Sequence, residues 1–105
     1  MKRVVITGLG IVSCLGNDRE SVTKSLKEGI SGIRYREDFA EMGLKCNVGA
    51  TLDIDPKDHI DRKIMRFMGP SASYAYIATD RAIADAGLTE EMVSNPRTGL
   101  VMGSG

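Results

Sequence analysis

With 105 residues, 42% of them hydrophobic, the chain can bury one modest core, and no run of 18 apolar residues is available to span a bilayer. Fourteen basic residues balance fourteen acidic ones, so no global field favours nucleic acid; a charged partner would have to meet a local patch. Two cysteines, Cys14 and Cys46, are expected as reduced thiols rather than a disulfide, with the cytoplasm as the compartment.

The first element lies in "VVITGLGIVSCLGND", residues 4–18. Gly8 and Gly10 form G-x-G behind a β-branched run, the beginning of a dinucleotide fingerprint. The third glycine of that fingerprint is replaced by Ser13, and no amphipathic helix starts at Gly10 to aim amides at an anion. Lys2, Arg3 and the apolar residues up to Cys14 also suggest a lipoprotein leader, but Thr7, Gly8 and Gly10 interrupt its short core. The third reading is a strand of a parallel sheet: Val4, Val5 and Ile6 are apolar on successive positions, so both faces would be covered. Gly8, Gly10 and Gly16 would then mark close backbone approaches or a bulge.

A helix over 18–28 follows, with Asn17 and Glu20 as its capping pair, Val22 and Leu26 on one face and Gly29 at its end. Residues 30–60 read as irregular, with a short helix over 36–42 and a short strand over 44–50, and the length of the segment suggests a surface excursion with a function or an edge ribbon. Ile60, Ile64, Phe67 and Met68 then fall on one helical face, until Gly69-Pro70 interrupts. A helix from about Ser71 to Ala86 carries alanines at 72, 75, 78, 82, 84 and 86, small enough for close approach to a neighbour, and ends at Gly87-Leu88. After a short helix over 89–95, residues 99–105 are expected as a second buried strand. Two strands without a completed crossover describe the first part of a sheet, as in a fragment of a larger α/β protein.

Within this stretch no catalytic constellation stands out. His59 is the single histidine and reads as a solvated turn residue. Cys14 and Cys46 lack a partner that would lower a thiol pKa, and neither has a second metal ligand at the usual spacing. The exception is a basic cluster. Arg62, Lys63 and Arg66 lie opposite the apolar stripe of the 60–68 helix, and Lys45 could join them. Arginine offers a bidentate fork to carboxylate or phosphate, so an acidic partner is expected there.

"MKRVVITGLGIVSCLGN", "GISGI", "DRKIMRFM", "AIADAGL" and "NPRTGLVMGSG" together resemble the N-terminal quarter of bacterial β-ketoacyl-[acyl-carrier-protein] synthases, with "DRKIMRFM" leaning to type I. The resemblance implies an α/β, thiolase-like fold of five αβαβα layers, with residues 1–105 forming the start of its first half, usually in a homodimer. It also implies a decarboxylative Claisen condensation of an acyl thioester with malonyl-acyl carrier protein, without metal or dissociable organic cofactor. The family's nucleophilic cysteine and two histidines match neither Cys14, Cys46 nor His59, so this stretch alone is expected to be inactive. Its carrier-protein surface maps onto Lys45, Arg62, Lys63 and Arg66; at Lys45 the family more usually has arginine, whose fork the lysine lacks. Two other readings stand beside the enzyme: a stand-alone module that docks carrier protein without catalysis, and a nucleotide-dependent oxidoreductase.

Overall fold

The computed structural model describes residues 1–104, leaving Gly105 of the expected second strand outside. Two units are distinguished. One comprises Met1–Gly10 with the chain from Pro56 onward, the other Ile11–Asp55.

In the second unit, α1 spans Arg19–Glu28. Its N-cap is Asp18 rather than the expected Asn17: the Asp18 carboxylate accepts the Ser21 amide at 2.8 Å and the Ser21 hydroxyl at 2.7 Å, satisfying a first-turn donor. A Schellman ending closes the helix at Gly29, where the Ile30 amide reaches Ser25 at 2.9 Å and the Gly29 amide reaches Leu26. Ser25 is buried and donates to the Leu15 carbonyl at 2.8 Å, whereas Leu26 is exposed, so a hydroxyl and not the expected leucine faces inward.

The stretch read as irregular contains a hairpin-like ribbon. β1 (Ile33–Tyr35) pairs antiparallel with β2 (Val48–Ala50), Arg34 opposite Gly49, around α2 (Glu37–Glu41). Arg36 organises the bend between them. Its guanidinium forms a bidentate pair with Asp38, at 2.6 and 2.8 Å, and lies 5.2 Å from the centre of the Phe39 ring. The ring also packs at Gly49 of β2.

In the first unit, α4 (Pro70–Ala86) dominates. Pro70 occupies its first turn, where a missing amide costs nothing. Gly87 ends it in the left-handed region (φ 66°), with the Leu88 amide bonded to Ile83 and that of Gly87 to Ala84. Ile77 of α4 and Ile60 are the buried apolar side chains among the described residues. Short helices α3 (Arg62–Met65) and α5 (Glu90–Val93) flank α4 in sequence. α3 is much shorter than the expected 60–68 helix. Beyond Met65 the chain turns by i→i−3 bonds, Phe67 to Ile64 and Met68 to Met65, as it approaches Gly69-Pro70, where the pre-proline position resists helix. The apolar stripe is therefore split: Ile60 is buried, but Phe67 is 85% exposed.

The expected strands, at Val4, Val5 and Ile6 and over 99–105, are likewise absent as paired strands among the described residues. Val4, Ile6 and Val101 are more than 90% exposed. A strand exists only through a neighbour that accepts its ladder of hydrogen bonds, and among the described residues the one ladder of length is β1–β2. What secures the N-terminal segment is α4. A Cβ built on Gly8 would stand 2.7 Å from the Cβ of Ala86, and one on Gly10 only 2.7 Å from the amide nitrogen of Ala82, distances that real side chains do not adopt. Between them, the Leu9 amide donates to the Asp85 carboxylate at 2.9 Å. Gly8 and Gly10 therefore mark a close backbone approach, as the strand reading expected, and not an open phosphate cradle.

Candidate functional site: a basic pocket around α3

Asp61 starts α3 by accepting the Lys63 amide at 2.7 Å. Capping directs that carboxylate to the helix's own backbone, and the next residues, Arg62 and Lys63, leave toward solvent with Arg66 one turn on. All three are exposed. No salt bridge or side-chain hydrogen bond engages Arg62, Lys63 or Arg66 among the described residues. Arg62 and Arg66 line a cavity of about 390 Å³ together with Lys57, Ile60 and Met65. Three cationic side chains thus line a cavity with a partly apolar floor.

Of the four expected site residues, Arg62 and Arg66 share this cavity, and Lys63 projects from the same turn. Lys45 belongs to the other unit, exposed in the loop ahead of β2. Lys57 was not singled out from the sequence. It reaches the cavity from a 3-10 turn over Pro56–Asp58, three residues before the buried Ile60.

The other reactive side chains are dispersed. His59 is exposed just after the 3-10 turn. Cys14 and Cys46 are free thiols; Cys14 is half-buried against Gly32, and Cys46 is exposed outside β2 rather than within the strand expected over 44–50. A second cavity, of about 710 Å³, lies along α4 between Met68, Ala75, Tyr76, Leu100 and Met102 and is mainly apolar. No group of three or more metal-ligating side chains occurs, and no helix is long and apolar enough to cross a membrane, among the described residues.

Helices with a small antiparallel ribbon make this a mixed helix and strand chain, and the structural neighbour described below gives it the α/β, thiolase-like fold. The profile of the family described as "Beta-ketoacyl synthase, N-terminal domain" matches residues 1–105. The chain belongs to that family. It is 54% identical over its whole length to "3-oxoacyl-[acyl-carrier-protein] synthase 1" of Haemophilus influenzae and 47% identical to the protein of that name from Escherichia coli K12, covering 26% of each. A crystal structure of a β-ketoacyl synthase from Burkholderia phymatum superposes with a TM-score of 0.73 at 35% identity, over 87% of this chain and 23% of that one. The chain thus spans about a quarter of the length of the relatives it matches.

Proposed function

We propose that residues 1–105 form the opening part of a 3-oxoacyl-[acyl-carrier-protein] synthase acting in fatty acid biosynthesis. The observation that carries the reading is the 54% identity, over the whole of this chain, to a synthase 1. In the complete protein a cysteine thiolate attacks the acyl thioester of acyl carrier protein, and the pantetheine thiol leaves. Malonyl carrier protein then loses carbon dioxide, and the resulting carbanion attacks the acyl-cysteine, forming the new carbon–carbon bond and releasing the thiolate. Cys14, Cys46 and His59 lie apart in sequence and setting, which supports placing the nucleophile and its histidines in the remainder of the protein. The apolar segments 4–6 and 99–102 would join the sheet of that remainder, in a cytoplasmic homodimer without metal or organic cofactor.

The role of this stretch in the reaction is to receive the carrier protein. Arg62, Lys63 and Arg66, with Lys45 as a more distant contributor in sequence, supply the positive surface, and the unpaired heads on α3 support this reading. Reversing charge at Arg62 and Arg66 together should weaken carrier-protein binding about 5–30-fold at low salt, from roughly 1–2 kcal/mol of lost attraction and added repulsion. Binding unchanged in the double variant would end the docking assignment. The competing reading, a docking module without catalysis, predicts the same binding loss but no condensation by the full-length protein.

A further inference from the structure

Arg36 holds both ends of the segment that carries Lys45. Its backbone amide donates to the Asn47 carbonyl at 2.7 Å, closing the ribbon beyond the Tyr35 and Val48 pair. Its guanidinium grips Asp38 of α2 through two parallel bonds and lies over the Phe39 ring, which packs at Gly49 of β2. The Phe39 carbonyl in turn accepts the Leu44 amide at 3.0 Å, and the Ala40 carbonyl accepts that of Gly43, which takes the left-handed conformation (φ 71°). Lys45 follows directly. On its other side the Cys46 thiol reaches the Val48 carbonyl at 3.8 Å. An exposed lysine is thus carried on a loop whose two stems are fastened through one arginine. That arginine is no docking cation itself, since the Asp38 carboxylate neutralises it and its side chain is only 29% exposed.

We infer that Arg36 is a positioning residue for Lys45, fixing the loop over 43–46 before the carrier protein arrives. A partner that meets a mobile loop must order it on binding, whereas a fastened loop has lost most of that freedom already on folding. Lysine lacks the fork by which arginine fixes its own geometry on a carboxylate, so at this position the backbone beneath the side chain supplies the order. The inference rests on the carrier-docking reading above, and deepens it by adding a residue that acts through another.

The test removes the clamp without changing net charge, by Arg36→Gln together with Asp38→Asn in the full-length protein. Hydrogen exchange followed by mass spectrometry should show the Gly43 and Leu44 amides exchanging about 3–10-fold faster, with α4 unchanged. Kd for fluorescently labelled carrier protein, read by anisotropy at low salt, should rise about two- to fivefold. In a Lys45→Gln background the same pair of substitutions should leave Kd within about 1.5-fold, because the side chain being positioned is gone. In an Arg62→Gln background they should weaken binding as they do in the parent. A loss that persists beside Lys45→Gln would show the clamp acting on the ribbon at large, and would overturn the inference. Unchanged exchange at Gly43 and Leu44 would overturn it too, as would faster exchange with an unchanged Kd; the Arg62 and Arg66 double reversal then decides separately whether docking on α3 stands. If that reversal and Lys45→Gln both leave carrier binding unchanged, the docking reading falls and this inference with it. Should the paired variant lose the circular dichroism of the folded protein, Arg36→Lys, which keeps the charge without the fork, takes its place with about half the expected effect.

Discussion

Replacing Gly10 by alanine is a demanding perturbation of this structure, because the added methyl meets backbone on the other side. It would stand 2.7 Å from the Ala82 nitrogen and 2.9 Å from the Ala78 carbonyl carbon, and closer still to the Ala78 oxygen. None of these atoms belongs to a side chain that can swing aside. Overpacking costs about 1–3 kcal/mol, and the rigid obstacle places this case in the upper part of that range. If the segment retreats, the Leu9–Asp85 bond lengthens as well, adding about 1 kcal/mol. A loss of about 3 kcal/mol, with a urea slope of about 1.5 kcal/mol/M, lowers the unfolding midpoint by about 2 M. Gly99 offers the control: a Cβ there meets nothing within 4 Å, so Gly99→Ala should stay within about 0.5 kcal/mol of the parent. Urea titration followed by circular dichroism measures both. A Gly10→Ala midpoint equal to the parent's would refute the packing account, since a glycine kept only for ligand approach could be substituted without loss of stability in the free protein.

Asp85→Ala should destabilise by about 1 kcal/mol through the Leu9 amide it leaves to solvent, while Asp80→Ala, exposed on the same helix, changes the midpoint little. Gly87→Ala forces a methyl group into the left-handed region at the end of α4, and thermal unfolding should show a cost of about 1–2 kcal/mol. The Arg36 side chain, chiefly by hydrogen bonding and against a smaller opposing effect of burial, holds the Asp38 carboxyl below the usual carboxylate range. Its folded pKa being the lower one, the pair stabilises above the unfolded value, near 4, and the contribution disappears as pH falls through the depressed folded value. Asp38→Asn should therefore be less stable than the parent at neutral pH and converge with it in acid; a gap independent of pH would show that the clamp is not the cause.

The sequence was most legible where local chemistry decides the outcome. The Gly87-Leu88 ending of α4, the short helix before Lys45 and the basic turn around Arg62 all depend on residues within one or two turns of each other. It was least legible where a distant partner decides. Val4, Val5 and Ile6 carry strong strand propensity, yet propensity supplies no neighbouring ladder, and these residues lie exposed outside any strand. β1 was missed for the converse reason: Ile33-Arg34-Tyr35 is too short to show alternation and becomes a strand only through Val48–Ala50. The 60–68 stripe failed because periodicity ignores the approaching proline, which ends α3 before Phe67 can join Ile60. Lys57 escaped because its place in the pocket comes from a 3-10 turn, which leaves no periodic trace.

The paired glycines near the N-terminus show how a motif can change meaning without changing a residue. Two residues of extended chain advance about 6.6 Å, and four residues of α-helix advance about 6.0 Å. An extended G-x-G can therefore lie along a helix with each glycine over successive positions of an i, i+4 row. That is the observed register: Gly8 faces Ala82 and Ala86, and Gly10 faces Ala78 and Ala82. Small residues are needed on both sides, because the two backbones come too close for a methyl group on the extended chain. The feature that separates this use from a phosphate cradle lies some 70 residues downstream, in the alanines of α4 at 78, 82 and 86. A cradle needs its glycines at the start of a helix with amides open to an anion; here the Leu9 amide is already taken by Asp85, and the helix that matters presents its flank.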